Sequence, residues 1–153
     1  MRPMTPVRML PGLCGPAALK VVLTYFKKDY THDEIAKLCE VTPDEHALHA
    51  KMISGATAAG LKPTPVENAT IDDIRRFVDD DFPVIVGWQL EGKDHYSVVY
   101  DVGKMKIFMM DPATESGIRI LTIEAFELFW KDKGGASGAP TTHWMMAVKK
   151  DKG

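Results

Sequence analysis

The hydrophobic period of the chain changes near its middle. Leu19, Val22, Leu23 and Phe26 recur at the spacing of one helix face, behind Pro16, a residue suited to the first helical position. Thr31 and Glu34 form the pair of a capping box ahead of Ile35, Leu38 and Cys39, which predicts a short second helix. Thr42, Pro43 and Glu45 repeat that signal with proline at the first helical position, and Leu48, Met52, Ala56 and Ala59 extend a third helix to Gly60. Thr70 with Asp73 caps a fourth, carrying Ile74, Phe77 and Val78.

From Pro83 the pattern is that of strands. Val84, Ile85 and Val86 are a continuous β-branched run of the kind that fills a buried strand. Tyr96, Val98, Tyr100 and Val102 alternate with His95, Ser97, Val99 and Asp101, and Gly103 with Lys104 turns the chain into a partner strand over 105–110. A short strand over 118–121, a helix capped by Thr122 with Phe126, Phe129 and Trp130, and a strand over 144–148 after the glycine loop 134–138 complete the series. Helices first and antiparallel strands after predict an α+β fold, N-terminal helices packed on a C-terminal antiparallel sheet. The 153 residues suit a single domain spanning 1–153.

Composition narrows the function. The chain is 45% hydrophobic and 26% charged, with 19 basic and 21 acidic residues interspersed, so neither nucleic acid nor an anionic membrane is the expected partner. No apolar run reaches the ~20 residues of a membrane span, and Pro3, Pro6, Arg8 and Pro11 interrupt any signal-peptide stretch, which points to a cytoplasmic location.

Two cysteines occur in unlike settings. Cys39 lies in a helical apolar pattern and reads as a core thiol. Cys14 stands at a helix start, where the dipole and unpaired backbone N–H groups favour a thiolate, and Gly15 beside it permits close approach of a substrate. A thiolate needs an imidazole to pair with it and to hand a proton to the leaving group. His95, after the polar turn 91–94, is the best placed of five histidines. Asp111, in the sequence MMDPA, closes the strand paired with the one His95 opens, and supplies an acceptor that fixes the imidazole. The triad makes a geometric demand. A three-residue turn over 102–104 sets His95 opposite Asp111 on one face, whereas a two-residue turn at Gly103 and Lys104 pairs Asp111 with Tyr96 and sends the groups apart. A wider turn or a compensating bulge is therefore required. Each residue also has a plain reading: a buried thiol, an exposed strand start, a strand-terminating Asp-Pro.

CGPAAL at Cys14, DHYSVVYDV around His95 and MMDPA at Asp111 together resemble the papain-like cysteine peptidases that cut leader peptides after a double glycine. The resemblance runs from about Val7 to Trp130. It implies a papain-like fold, catalytic residues Cys14, His95 and Asp111, a peptide or protein substrate cut after small residues, and no metal or organic cofactor. In these peptidases a glutamine six residues before the cysteine donates to the oxyanion; here that position is Arg8, which becomes the oxyanion candidate beside the Cys14 backbone N–H. Bacteriocin-processing members sit ahead of membrane spans and an ATPase, neither of which is present, so a stand-alone form is implied, with any transporter association open. Two other readings stay open: a silent relative that only binds peptide segments, favoured by Arg8, and an acyl transferase.

Other residues carry weaker signals. Trp88 could line a substrate cleft, although packing explains it as well. His46 and His49 share a predicted helix face at a spacing that could hold a metal, but a solvated face is the simpler explanation. His32 reads as an exposed first-turn residue, and His143 as the rival to His95 for the base.

Overall fold

A computed structural model describes residues 3–7, 13–43 and 46–150. Three helices come first: α1 (Cys14–Tyr25), α2 (His32–Cys39) and α3 (His49–Ala58). They are followed by β1 (Leu61–Val66), α4 (Ile71–Asp79), β2 (Val84–Leu90), β3 (Lys93–Val102), β4 (Lys106–Met110), β5 (Ile118–Thr122) and α5 (Ile123–Phe129). The short strands β6 (Lys131–Asp132) and β7 (Thr141–Thr142) and the last strand β8 (Met145–Lys150) complete the chain. Six strands form one antiparallel sheet in the order β1-β8-β2-β3-β4-β5, and β6 pairs with β7 separately. This is the α+β arrangement expected, a papain-like one, with the helices ahead of a mostly antiparallel sheet. No helix among the described residues is long and apolar enough to cross a membrane.

Local signals account for several helix starts. Thr31 Oγ1 accepts from the Glu34 backbone N–H at 3.1 Å while Glu34 Oε1 accepts from the Thr31 N–H at 2.9 Å, a complete capping box. Thr70 and Asp73 repeat it at 3.1 and 2.9 Å, and Thr122 Oγ1 accepts from the Ala125 N–H at 3.1 Å. Two starts differ from expectation. Cys14, rather than Pro16, is the first residue of α1, following Leu13 as N-cap. Pro16 still lies in the first turn, where a missing N–H costs nothing. The third helix begins at His49, seven residues beyond Thr42.

The sheet separates two cores. On one side Leu19, Val22 and Leu23 of α1, Ile35 of α2 and Met52 of α3 pack on Ile85, Tyr96, Val98 and Met146. On the other, Ile74 and Val78 of α4 with Phe126 of α5 pack on Val84, Val86, Val99, Ile107 and Met109. The central strand β3 is therefore covered on both faces, and residues 95–99 are all buried. Strand β1 was not expected. It carries Pro63 and Pro65, tolerable because β1 is an edge strand paired only to β8 and the two prolines turn their missing N–H to the same open side.

The β3–β4 register decides the geometry of the site. The Gly103 N–H donates to the Lys106 carbonyl at 2.8 Å, so the turn is Lys104–Met105, one residue later than expected. Asp101 pairs with Phe108 and Val102 with Ile107, a register that would carry Asp111 to the face opposite His95. A bulge between Val99 and Asp101 corrects it: beyond the bulge Val99 pairs with Met109 and Val98 with Met110, so the next pair sets Asp111 beside Ser97, on the face of His95. The wider turn is absent and the compensating bulge is present.

Candidate active site

Cys14 and His95 reach one place from the two walls of the molecule. The first intrahelical bond of α1 runs from the Ala17 N–H to the Leu13 carbonyl at 3.0 Å, so the Cys14 and Gly15 N–H groups have no helical partner. No acidic residue occupies this first turn to offset the dipole. Gly15 is buried, and a Cβ there would lie 3.0 Å from both Ala47 Cβ and Met52 Sδ. The space its missing side chain leaves is filled by Ala47 and by Met52 of α3, the kind of close approach expected at this glycine.

His95 is interior to β3 rather than at a loose strand start. Glu91 and Gly92, with φ of 52° and 79°, make a two-residue turn of the kind that matches strand twist, and β2 and β3 pair directly on either side of it. His95 is thus fixed opposite Trp88, with ring centroids 5.9 Å apart in an edge-to-face contact. Trp88 is only 2% exposed, and its Nε1–H donates to Ser97 Oγ at 2.9 Å, so packing against the imidazole, not an open cleft wall, is what it supplies.

Asp111 holds the far side of that imidazole. His95 Nε2 and Asp111 Oδ1 are 2.5 Å apart, and the same Oδ1 accepts from the Ala113 N–H at 2.9 Å. Arg119 of β5 donates through Nε to Asp111 Oδ2 and lays its guanidinium 5.8 Å from the Trp88 ring centroid. With Nε2 engaged by the carboxylate, Nδ1 of His95 is the nitrogen available to the thiol. Arg119 escaped the sequence reading; the alternation of β5 against β4 could have placed it on the Asp111 face, but nothing local marks it.

The Cys14 thiol is half-buried, and the imidazoles of His95 and, from the other wall, of His46 both act on it. Burial alone would push the thiol pKa up; the hydrogen bonds and charges of the two imidazoles overcome it and bring it from 9.0 down to about 6. Burial likewise opposes a charged His95, and Asp111 and Cys14 together raise it from 6.5 to about 9. Asp111, despite its burial, is held below the usual carboxylate range by His95, the Ala113 N–H and Arg119. A thiolate beside an imidazolium is the favoured state between those two values.

The remaining candidates sort by contact. Cys39 is 1% exposed and pushed up to about 11 by burial, the behaviour of a core thiol. His143 stacks on Trp130 at 4.3 Å and its Nδ1 lies 2.9 Å from the Ala69 carbonyl, which commits it to the other core. His32 is half-buried rather than exposed. His46 and His49 do not share a solvated helix face: His46 precedes α3, and His49 is 4% exposed with Nε2 2.7 Å from Asp132 Oδ2. No group of three or more potential metal ligands occurs among the described residues. Arg8 lies outside the described residues.

Solved structures of similar fold share this arrangement of helices and sheet. The peptidase domain of Streptococcus ComA, a bifunctional ABC transporter of a quorum-sensing pathway, superposes with a TM-score of 0.73 at 16% identity, covering 97% of this chain and 98% of that one. A double glycine motif protease from an AMS/PCAT transporter, solved with its leader peptide, gives 0.75 at 20% identity over 97% and 92%. A C39-like peptidase from Bacillus anthracis gives 0.71 at 15% identity over 97% and 96%. No curated protein matches the chain in sequence. The family model of the Peptidase C39 family matches residues 13–134, most of the chain and a span that includes Cys14, His95 and Asp111, and the protein belongs to that family.

Proposed function

We propose that the protein is a cysteine peptidase in which Cys14 is the nucleophile, His95 the general acid and base, and Asp111 the group that orients and charges His95. The observation that carries this reading is the run of contacts from the Cys14 thiol through His95 to Asp111 Oδ1, with the thiol brought down to about 6. The Cys14 thiolate attacks a peptide carbonyl carbon, forming a C–S bond and an oxyanion. The Cys14 N–H, without a helical partner, faces that oxyanion, and Arg8 is the candidate for a second donor. As the C–N bond breaks, the His95 imidazolium gives its proton to the leaving amine. Neutral His95 then takes a proton from water, the hydroxide attacks the thioester, and the C–S bond breaks to return the thiolate and release the carboxylic acid.

The substrate proposed is a leader peptide cut after small residues, the double glycine of the protease solved with its leader peptide being the model. A half-buried nucleophile at a helix start, with the flank of the adjacent Gly15 closed by Ala47 and Met52, suits small residues better than bulky ones. The test is digestion of a leader–cargo peptide containing Gly-Gly, with products assigned by mass spectrometry, by the wild type and by Cys14→Ala. Cleavage after the second glycine by the wild type alone supports the proposal. Failure of the wild type to cut any member of a peptide library, with Cys14 nevertheless reactive, favours the peptide-binding reading that the arginine at position 8 suggests.

A further inference from the structure

His46 is the residue of the site that neither the sequence reading nor the proposed mechanism uses. It enters from the segment ahead of α3, on the helical wall, whereas His95 enters from the sheet. Its ring lies parallel to that of Tyr96, at 5.1 Å and 5°. Tyr96 is itself fixed, fully buried, with its hydroxyl donating to the Ala47 carbonyl at 2.5 Å. The stack thus locks both the ring and the backbone next to it. The nitrogens of His46 contribute nothing to that packing, which any flat ring would satisfy. Its Nε2 is buried without a hydrogen-bond partner; the next residue, Ala47, lies against Gly15 beside Cys14, and the imidazole and the thiol act on each other.

We propose that His46 is a second imidazole of the catalytic centre, which donates to the Cys14 thiolate from the helical wall while His95 donates from the sheet wall. The inference rests on the reading of Cys14 as the nucleophile. It gives the two histidines different work. His95, tied to Asp111, is the one that passes its proton to the leaving amine; His46 stays charged beside the sulfur and holds the thiolate in the resting enzyme.

The charged groups around His46 are consistent with this. Cys14 faces it from α1; Asp94 of β3 and Asp132 of β6 act on it through their charge, and His49 of α3 is paired with Asp132. Both carboxylates are bonded elsewhere. Asp132 lies against His49 Nε2 and accepts from Thr141 Oγ1 at 2.6 Å, and Asp94 accepts from Gln89 Nε2 and from the Lys133 N–H at 3.2 Å. They therefore favour an imidazolium at His46 without drawing it away from the sulfur. Burial works against that charge, and Cys14 and the two aspartates outweigh it, so the His46 pKa is raised.

The experiment is the rate of Cys14 alkylation by iodoacetamide as a function of pH, read by peptide mass mapping, in the wild type, His46→Phe, His95→Phe and the double variant. Phenylalanine keeps a flat ring on Tyr96 and removes the nitrogens. Loss of His46 should move the midpoint of the wild-type profile up by about one pH unit, with a several-fold slower reaction on its acid side. His95→Phe should keep part of the depression, and the double variant should lie at or above about 8.5, since burial alone raises the thiol. Circular dichroism checks the fold, and His46→Gln replaces the phenylalanine variant if that one unfolds. A profile of the His46 variant superimposable on the wild type overturns the proposal, because a ring that served packing alone would leave the thiol unchanged. If the wild type cuts no peptide yet the profiles move as stated, the peptidase reading falls and the role of His46 stands.

Discussion

Replacing Asp111 by Asn removes the charge and the acceptor for Arg119 Nε, while the amide oxygen can still accept from His95 Nε2 and the Ala113 N–H. His95 stands at about 9 against an ordinary 6.5, a difference of roughly 3 kcal/mol at about 1.4 kcal/mol per pH unit. Asp111 and Cys14 share that stabilisation of the imidazolium, and the 2.5 Å contact with buried Asp111 argues that the carboxylate carries at least half. The alkaline limb of kcat/KM, set by loss of the His95 proton, should therefore fall by about one pH unit or more in Asp111→Asn. The rate on the plateau should fall about tenfold, as the imidazolium fraction and its alignment both decline. Asp111→Ala removes the acceptor as well and should cost about another order of magnitude. The assay is cleavage of a leader–cargo peptide from pH 5 to 10. An Asp111→Asn enzyme whose alkaline limb stays at the wild-type position, with a rate within twofold, would refute the argument.

Other substitutions test the neighbouring contacts. Arg119→Gln frees Asp111 Oδ2 from a competing cation, so the alkaline limb of kcat/KM should rise where Asp111→Asn makes it fall; a downward move would contradict the assignment. The wild-type profile should be a bell: below about 6 the thiolate takes a proton and attack is lost, and above about 9 the imidazolium loses its proton and the leaving amine is unassisted. Gly134→Ala would place a Cβ 2.3 Å from His49 Nε2 and 2.9 Å from Asp132 Oδ2; breaking that buried pair should cost about 3 kcal/mol or more in urea denaturation, whereas a loss below about 1 kcal/mol would show that the loop yields. Thr70→Ala removes one half of the α4 capping box and should lower stability by about 1 kcal/mol, seen as a melting point about 2–4 °C lower.

Much of this molecule could be read locally. The capping boxes at Thr31 and Thr70 and the cap at Thr122 are decided within four residues, so the helices behind them start where the sequence places them. The run Val84–Val86 names a buried strand because both faces must be apolar. Cys14, His95 and Asp111 were recognisable as candidates from their contexts, and the demand for a bulge followed from parity alone. What failed locally was decided at long range. The Thr42-Pro43 signal is a good helix start, yet the chain stays non-helical over 46–48, where Tyr96 takes the Ala47 carbonyl and Gly15 packs on the same residue. That departure turns His46 from a helix-face residue into a neighbour of Cys14. Arg119, the β6–β7 pair and the Pro-bearing edge strand β1 depend on partners between 8 and 89 residues away in sequence, which no window of local periodicity contains.

The account stands on a charged pair at rest: sulfur without its proton, imidazole with one. The thiolate absorbs near 240 nm, and the difference between the wild type and Cys14→Ser isolates its signal from that of Cys39. Titrated upward from pH 4, that difference should rise with a midpoint near 6. A midpoint at about 8.5, the value of a free thiol, or above it would mean that the imidazoles do not hold Cys14 as a thiolate and that the proposed chemistry is absent.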